Sequence, residues 1–472
     1  MTSSPPRRPV YVLGAGFSKA ISSAMPITNE LGQALRARLS HEVDFDLYPN
    51  QTFEDWLTLQ ITPLPFLQGF ENSRRSANAA RVIAEIAQVL DEKVEDASSS
   101  VSELWLQQLV ALWHAERAVV LTFNYDTLLE RAVNDNPPSI IDPTGHARHI
   151  LGDHVVFPAP SPPPVQLADD MTASHSDESF EILKLHGSLT WYWAANDSSG
   201  STLIRVREKK GYGANTALTT ETDFLGITSL DRYLIPPITS KDGYYGSYLA
   251  NSIWRKARSY ISSASALTLI GYSLPPEDRA ASQLMAQAPA NTPFYVVDRA
   301  PGSVDTPASV LGNLTRLGIS GKAAGTGPEC LPDFVSKKIQ EAIQRLPEAP
   351  EFQLPDSNSW DVVVAVAEGQ SWWASAFTYM LQWNEQEGHF EAAQLGYDLM
   401  TTERPYSEIL GLEAPSAGSG PLTVAQLRHH VDGGKPLTFK RPHSNGMAVC
   451  IGVNKLTIRS KELLELKWAP YS

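Results

Sequence analysis

Cysteine is nearly absent from this sequence: Cys330 and Cys450 are the only two in 472 residues. Two isolated thiols supply neither a disulfide framework nor a four-thiolate zinc site within one chain. Long apolar runs are missing too, and Met1 to Arg8 lacks the hydrophobic stretch of a secretory signal. A cytoplasmic protein with no membrane association is expected. Positive charge is in deficit, with 38 Lys and Arg against 52 Asp and Glu and a formal net charge of −14. That balance argues against broad nucleic-acid binding, and no direct nucleic-acid partner is expected. What remains is 42% apolar and 19% charged, a globular composition in a chain long enough for more than one domain.

The stretch that organises the rest is Val10 to Ser18. Val10-Tyr11-Val12-Leu13 reads as a buried strand broken by Gly14-Ala15-Gly16-Phe17-Ser18, with a helix-like run following at Ile27 to Leu39. Glycines after a strand let backbone N–H groups approach a phosphate. The dinucleotide fingerprint is incomplete, because Lys19 stands where G-x-G-x-x-G has its third glycine. A tight strand–helix turn is the alternative reading.

Further strands are expected at Val119–Phe123, Phe180–Leu185, Ala266–Ile270 and Phe294–Asp298. Helices are expected at Thr127–Val133, Tyr248–Ser262, Glu277–Ala288 and Asp333–Arg345. Residues 40–116 read as a mostly helical insertion in which Trp105 and Trp113 are core anchors. Segments 158–178 and 194–231 read as polar loops. Strands separated by helices imply an α/β, Rossmann-like, mainly parallel sheet, with ligands collecting beyond its carboxyl ends. Small or functional residues stand at each such end: Gly14 to Ser18, Asn124-Tyr125-Asp126, His186-Gly187-Ser188, Gly271-Tyr272-Ser273 and Asp298. One composite pocket is the expectation. The domain would span 1–346, with a linker at 347–355. A small α+β domain at 356–472 would include strands at Asp361 to Val366, Met447 to Val453 and Lys455 to Ile458, a helix around Phe390 to Met400, and loops at Pro415 to Gly420 and Asp432 to Lys435. His429-His430 has no nearby partners for a metal, and a solvated helix end is expected there.

Four blocks in order resemble the Sir2 (sirtuin) superfamily, in particular its divergent Sir2-like branch of bacterial NAD-consuming defence proteins. Gly14-Ala15-Gly16-Phe17-Ser18 is similar to the family's GAG-x-S loop, and Thr122-Phe123-Asn124-Tyr125-Asp126 to its T-Q-N-[IV]-D block. Leu185-His186-Gly187-Ser188 matches its L-H-G block, and Gly271-Tyr272-Ser273 falls at its G-T-S turn. Two family features are missing. Trp191, Tyr192 and Trp193 stand where deacetylases begin their four-cysteine zinc module, and Met25-Pro26-Ile27-Thr28 replaces an Asp-Phe-Arg segment.

The resemblance implies NAD+ as substrate, no zinc, and NAD+ glycohydrolysis to nicotinamide and ADP-ribose. A deacylase, an ADP-ribosyltransferase and a non-catalytic NAD or ADP-ribose module are the alternatives. Asp126 and the Tyr125 backbone would hold the carboxamide, as the resemblance implies; Asp126 also suits the cap of the following helix. Asn124 suits the orienting of a water or ribose hydroxyl, and His186 suits a general base. Ser18 divides between a phosphate contact and a cap, and Asp298 suits a ribose hydroxyl of the adenosine half. Residues 356–472 would sense a trigger, self-associate into a homo-oligomer, or dock a second defence protein.

Overall fold

The computed structural model describes residues 7–48, 51–135, 138–141, 147–158, 165–166, 179–194, 203–205, 230–239, 241–306 and 309–345, and beyond them the strands of 362–471. Its first half grows from short apolar runs too hydrophobic to leave either face in water. β1 (Pro9–Leu13) leads straight into α1 (Ala15–Ile21). The helical insertion follows as α2 (Thr28–Arg38), α3 (Phe53–Ile61), α4 (Gly69–Asp96) and α5 (Leu104–Glu116). Next come β2 (Val119–Thr122), α6 (Leu128–Asp135), the hairpin of β3 (Ser139–Ile141) and β4 (Ala147–His149), α7 (Gly152–Val155), β5 (Val156–Phe157) and β6 (Val165–Gln166). β7 (Glu181–Lys184), β8 (Gly187–Ala194), β9 (Leu203–Arg205) and β10 (Leu230–Leu234) precede α8 (Asp242–Tyr245) and α9 (Tyr248–Ser262). The unit ends with β11 (Ala266–Ile270), α10 (Arg279–Met285), β12 (Phe294–Val297), α11 (Val310–Arg316), β13 (Gly321–Gly325) and α12 (Cys330–Arg345).

The main sheet has the order β13-β12-β11-β1-β2-β7-β5, and each adjacent pair is parallel. Buried on both faces, its strands read as apolar runs. From β1 the chain moves outward to β2 and β7, then returns to the other side of β1 with β11. That reversal places a crevice between the carboxyl ends of β1 and β11. The insertion is held by its own core. Val82, Ile86, Val89, Leu90 and Val94 line one face of α4 at helical spacing, and Trp56 stacks on Phe45 with ring centroids 4.6 Å apart. Trp113 is fully buried against Tyr11, Phe17 and Phe180.

Three expectations change. The helix opening on the glycines is α1, starting at Ala15, while the run from Ile27 is a second helix begun at Thr28. Glu30 sets that start by accepting the Ile27 N–H at 3.1 Å. Residues 187–194 are a strand rather than a lead into a loop. They belong to a separate antiparallel sheet, β10-β8-β9-β6, whose buried Trp191 closes it onto the core. The segments expected as loops thus contain β6, β9 and β10; the rest of 159–178 and 195–229 lies outside the described residues. The third change is in the C-terminal part, where His389–Leu395, at the start of the helix expected around 390–400, is a strand, and 396–400 lie outside the described residues. That strand pairs antiparallel with neighbours on both sides. Those ladder bonds override the helical preference of Glu-Ala-Ala-Gln.

That part carries a seven-stranded sheet built from β14 (Val362–Ala367), β15 (Thr378–Asn384), β16 (His389–Leu395), β17 (Leu410–Leu412), β18 (Leu437–Lys440), β19 (Met447–Ile458) and β20 (Lys461–Tyr471). The strands expected at 447–453 and 455–458 are one, β19. The linker and the loops at 415–420 and 432–435 lie outside the described residues, as does His429-His430.

Candidate active site

The crevice is made where two glycine turns meet. Gly16 N–H donates to the Gly271 carbonyl at 2.9 Å, and Gly14 N–H to Ile270 at 3.2 Å. A Cβ on Gly16 would lie 2.8 Å from the Gly271 Cα. Gly271 is at φ +56° and faces the Phe17 nitrogen so closely that a side chain has no room. The glycines therefore serve first to let β1 and β11 turn against each other.

Beside them runs a chain of hydrogen bonds. Asn124 Nδ2 donates to the Gly14 carbonyl at 2.8 Å and to Ser18 Oγ at 2.9 Å. Ser18 Oγ donates onward to Asp126 Oδ2 at 2.6 Å. Asp126 Oδ1 accepts from Leu128 N–H at 3.2 Å, at the start of α6. Because the Gly14 carbonyl only accepts, the Asn124 amide orientation is determined, and Oδ1 is left as the acceptor for a ligand. Below this loop the buried Lys184 donates to the Asp126 carbonyl at 2.5 Å and pairs with Glu130 at 2.7 Å. Tyr125 is tied down twice. Its hydroxyl donates to the Ile235 carbonyl at 2.5 Å, and its carbonyl accepts from Leu189 N–H at 2.9 Å.

At the far end stands His186, 7% exposed, with its Nε2 buried and lacking a hydrogen-bond partner among the described residues. Phe123 meets its ring edge-on at 5.0 Å and stacks on Tyr272 at 4.4 Å. Burial pushes the imidazole pKa down to about 4. The Asp278 charge opposes that shift, and the Lys241 charge adds to it. Lys241 lies 3.5 Å from Glu54 and 4.0 Å from Asp278; Asp278 also accepts the Tyr272 hydroxyl at 3.2 Å. Burial raises the Glu54 carboxyl pKa, while Lys241 pulls it back.

These residues enclose one cavity of about 400 Å³. It is lined by Gly14, Ala15, Gly16, Ser18, Asn124, Tyr125, Asp126, His186, Gly271, Tyr272, Ser273 and Asp298. Its size is within the range of small-molecule sites. Of the strand-end residues singled out in the sequence, Phe17, Gly187 and Ser188 stay outside its lining, Phe17 in the core against Trp105 and Trp113. Ser18 is inside α1 and makes no cap; its hydroxyl links Asn124 to Asp126. Asp298 Oδ1 accepts from Ala300 N–H at 2.8 Å, which fixes the turn after β12.

Sequence reasoning missed Met25 to Asn29, Glu54, Pro237, Lys241 and Asp278, all of which line the same cavity. Asp278 carried a signal, as an Asp directly before a helix after two prolines, and it caps α10 through Ala281 N–H. Lys184 carried another, since a lysine inside a buried strand calls for a carboxylate. Glu54 and Lys241 carried none. Among the described residues no group of three or more His, Cys, Asp or Glu could hold a metal.

The buried imidazoles make stability pH-dependent. His114, which contacts Ser179 through Nδ1 at 2.8 Å, is pushed down to about 3 by burial and by Arg117. Both folded pKa values lie below the ordinary 6.5, so on acidification the unfolded chain takes up protons first. Their contribution is complete above pH 6.5 and is lost as pH falls toward 4 and then 3. The denaturation midpoint, followed by tryptophan fluorescence at constant ionic strength, should fall between pH 7 and pH 5. His186→Gln should flatten that dependence; an unchanged slope would contradict the burial argument.

The glycine crevice, the Asn-Tyr-Asp loop and the His-Gly turn now stand together at one sheet edge. Residues 118–310 match the family model of the SIR2-like domain. Among solved structures, the chain is similar to a Sir2 homologue mutant in complex with 2′-O-acetyl ADP ribose, at 13% identity and a TM-score of 0.36 over 74% of this chain and 94% of that one. It is also similar to a Sir2 homologue–NAD complex, at 12% identity and a TM-score of 0.35 over 71% and 90%. A third is Sir2Tm bound to a propionylated peptide, at 12% identity and a TM-score of 0.34 over 71% and 93%. No curated protein matches the chain.

Proposed function

We propose that the protein binds NAD+ along the carboxyl edge of the main sheet and cleaves it to nicotinamide and ADP-ribose. The observation that carries this reading is the meeting, in one cavity, of the glycine crevice, the Asn124 acceptor and a His186 whose Nε2 is unpartnered among the described residues. The adenosine half would lie toward β12, where Asp298 suits its ribose, and the pyrophosphate over the β1–β11 crevice. The nicotinamide ribose would then reach Asn124 and His186. Cleavage passes through an oxocarbenium-like ribose. Asn124 Oδ1 can orient the attacking water or a ribose hydroxyl without adding charge, and the neutral His186 can take up a proton. Asp126 supports this end indirectly through Ser18 and the start of α6, and the Tyr125–Asp126 segment is where the carboxamide would sit.

The resemblance extends the proposal to a regulated effector that depletes NAD+ in antiviral defence, with residues 356–472 as its sensing, self-associating or partner-docking part. The test uses the purified full chain. NAD+ binding is measured by calorimetry, and nicotinamide release across protein concentrations, with and without EDTA and an acyl-lysine peptide. Binding together with peptide-independent, EDTA-insensitive release is the expected result. Release that requires the peptide would make the protein a deacylase, and absence of NAD+ binding would refute the site.

A further inference from the structure

The cavity contains one Lys or Arg among the described residues, Lys241, and nothing in the proposed cleavage yet uses it. Lys241 follows β10 at the start of α8 and is 4% exposed. Burying a lysine this far is costly unless carboxylates surround it. The two it has come from opposite walls: Glu54 from the helical insertion and Asp278 from the segment after β11. At 3.5 and 4.0 Å both contacts are loose, so the ammonium is held between two charges rather than locked to one.

We propose that Lys241 is an electrostatic positioning residue of this site: held between Glu54 and Asp278, it offsets the Asp278 charge at the His186 end and so adds to the burial that keeps that imidazole in its proton-accepting form. The titratable groups sharing the cavity with His186 are Glu54 of α3, Tyr125 and Asp126 of the β2–α6 segment, Lys241, Tyr272 and Asp278 beyond β11, and Asp298 beyond β12. Asp126 is engaged by Ser18 and Leu128. The charges of Lys241 and Asp278 bear on His186 directly and with opposite sign. Removing the ammonium leaves Asp278 unopposed, and a carboxylate acting on a buried imidazole favours its protonation. Without Lys241 the imidazole would then take up its proton at a higher pH than in the intact site, with burial alone still opposing it. This rests on the proposed role of His186 as base.

The experiment titrates histidine-labelled full-length protein by NMR from pH 8 to pH 5, with His186→Gln assigning the signal. In the wild type His186 should stay neutral across this window. Lys241→Met, or Lys241→Gln if the first does not fold, should bring its titration into the window, an upward shift of about one pH unit or more. Lys241→Arg should restore wild-type behaviour. Asp278→Asn retains the α10 cap and should leave His186 neutral, and the Lys241→Met/Asp278→Asn pair should cancel most of the shift. Local loosening would not produce opposite signs that cancel. A His186 signal unmoved by Lys241→Met, or moved equally by Lys241→Arg, overturns the proposal. NAD+ is absent from this titration, so the outcome is independent of cleavage. Failure of nicotinamide release would sink the functional reading while these shifts still decided the role of Lys241.

Discussion

Replacing His186 by alanine should lower nicotinamide release from NAD+ by a factor of about 10²–10⁴, the usual contribution of a positioned general base. The fold should survive the change. Among the described residues His186 Nε2 has no hydrogen-bond partner, so its removal orphans no described group bonded to that nitrogen, and the ring packs beside the Phe123 and Tyr125 rings. A buried polar atom without a partner is unfavourable in a protein interior. Its presence beside a cavity therefore points to a partner that arrives with the ligand. NAD+ affinity should change far less than turnover, since the crevice and Asn124 remain. An alanine variant with wild-type turnover, or one that loses binding and turnover equally, would remove His186 from the chemistry. The pH profile adds a second check. With its pKa at about 4, His186 is unprotonated throughout the neutral range, so turnover should not fall at pH 6 in the way an ordinary histidine would impose.

The second large effect belongs to Gly271. Gly271→Val should destabilise the protein by on the order of 3 kcal/mol or more, since it combines a left-handed backbone with an overlap that cannot relax. Its φ is +56°, and the added Cβ would meet the backbone of Gly16 and Phe17 rather than the end of a movable side chain. Gly16→Val should act similarly, because its Cβ meets the Gly271 backbone at 2.8 Å. A loss of NAD+ binding in either variant then reports a collapsed crevice, not merely a blocked phosphate position. Gly243→Ala is the control. It sits in α8 with nothing within 4 Å of an added Cβ, and its midpoint should stay within about 1 kcal/mol of wild type. Denaturant unfolding followed by tryptophan fluorescence separates these cases, and a Gly271→Val midpoint equal to that of Gly243→Ala would refute the packing argument.

Much of the first half was legible in the sequence because buried parallel strands must be apolar throughout. Val10–Leu13, Val119–Thr122, Ala266–Ile270 and Phe294–Val297 could be read with little ambiguity, and the residues after them were candidates by position alone. Strand-end chemistry is local, so Asn124, His186 and Gly271 could be named before their distances were known. The reach of a side chain across the chain is not local. Glu54 and Lys241 are 187 positions apart, and neither carries a periodicity or turn signal that would pair them. Burial of His186 decides its protonation, and burial is a property of everything packed around it. The glycines show the same division. Their place after the strands was evident from sequence, but the backbone contact of Gly16 with Gly271 exists only because β11 returns to the side of β1 away from β2. The His389–Leu395 segment shows the limit most plainly: its alanines and charges favour a helix, and it is a strand because hydrogen-bonding partners lie on both of its sides.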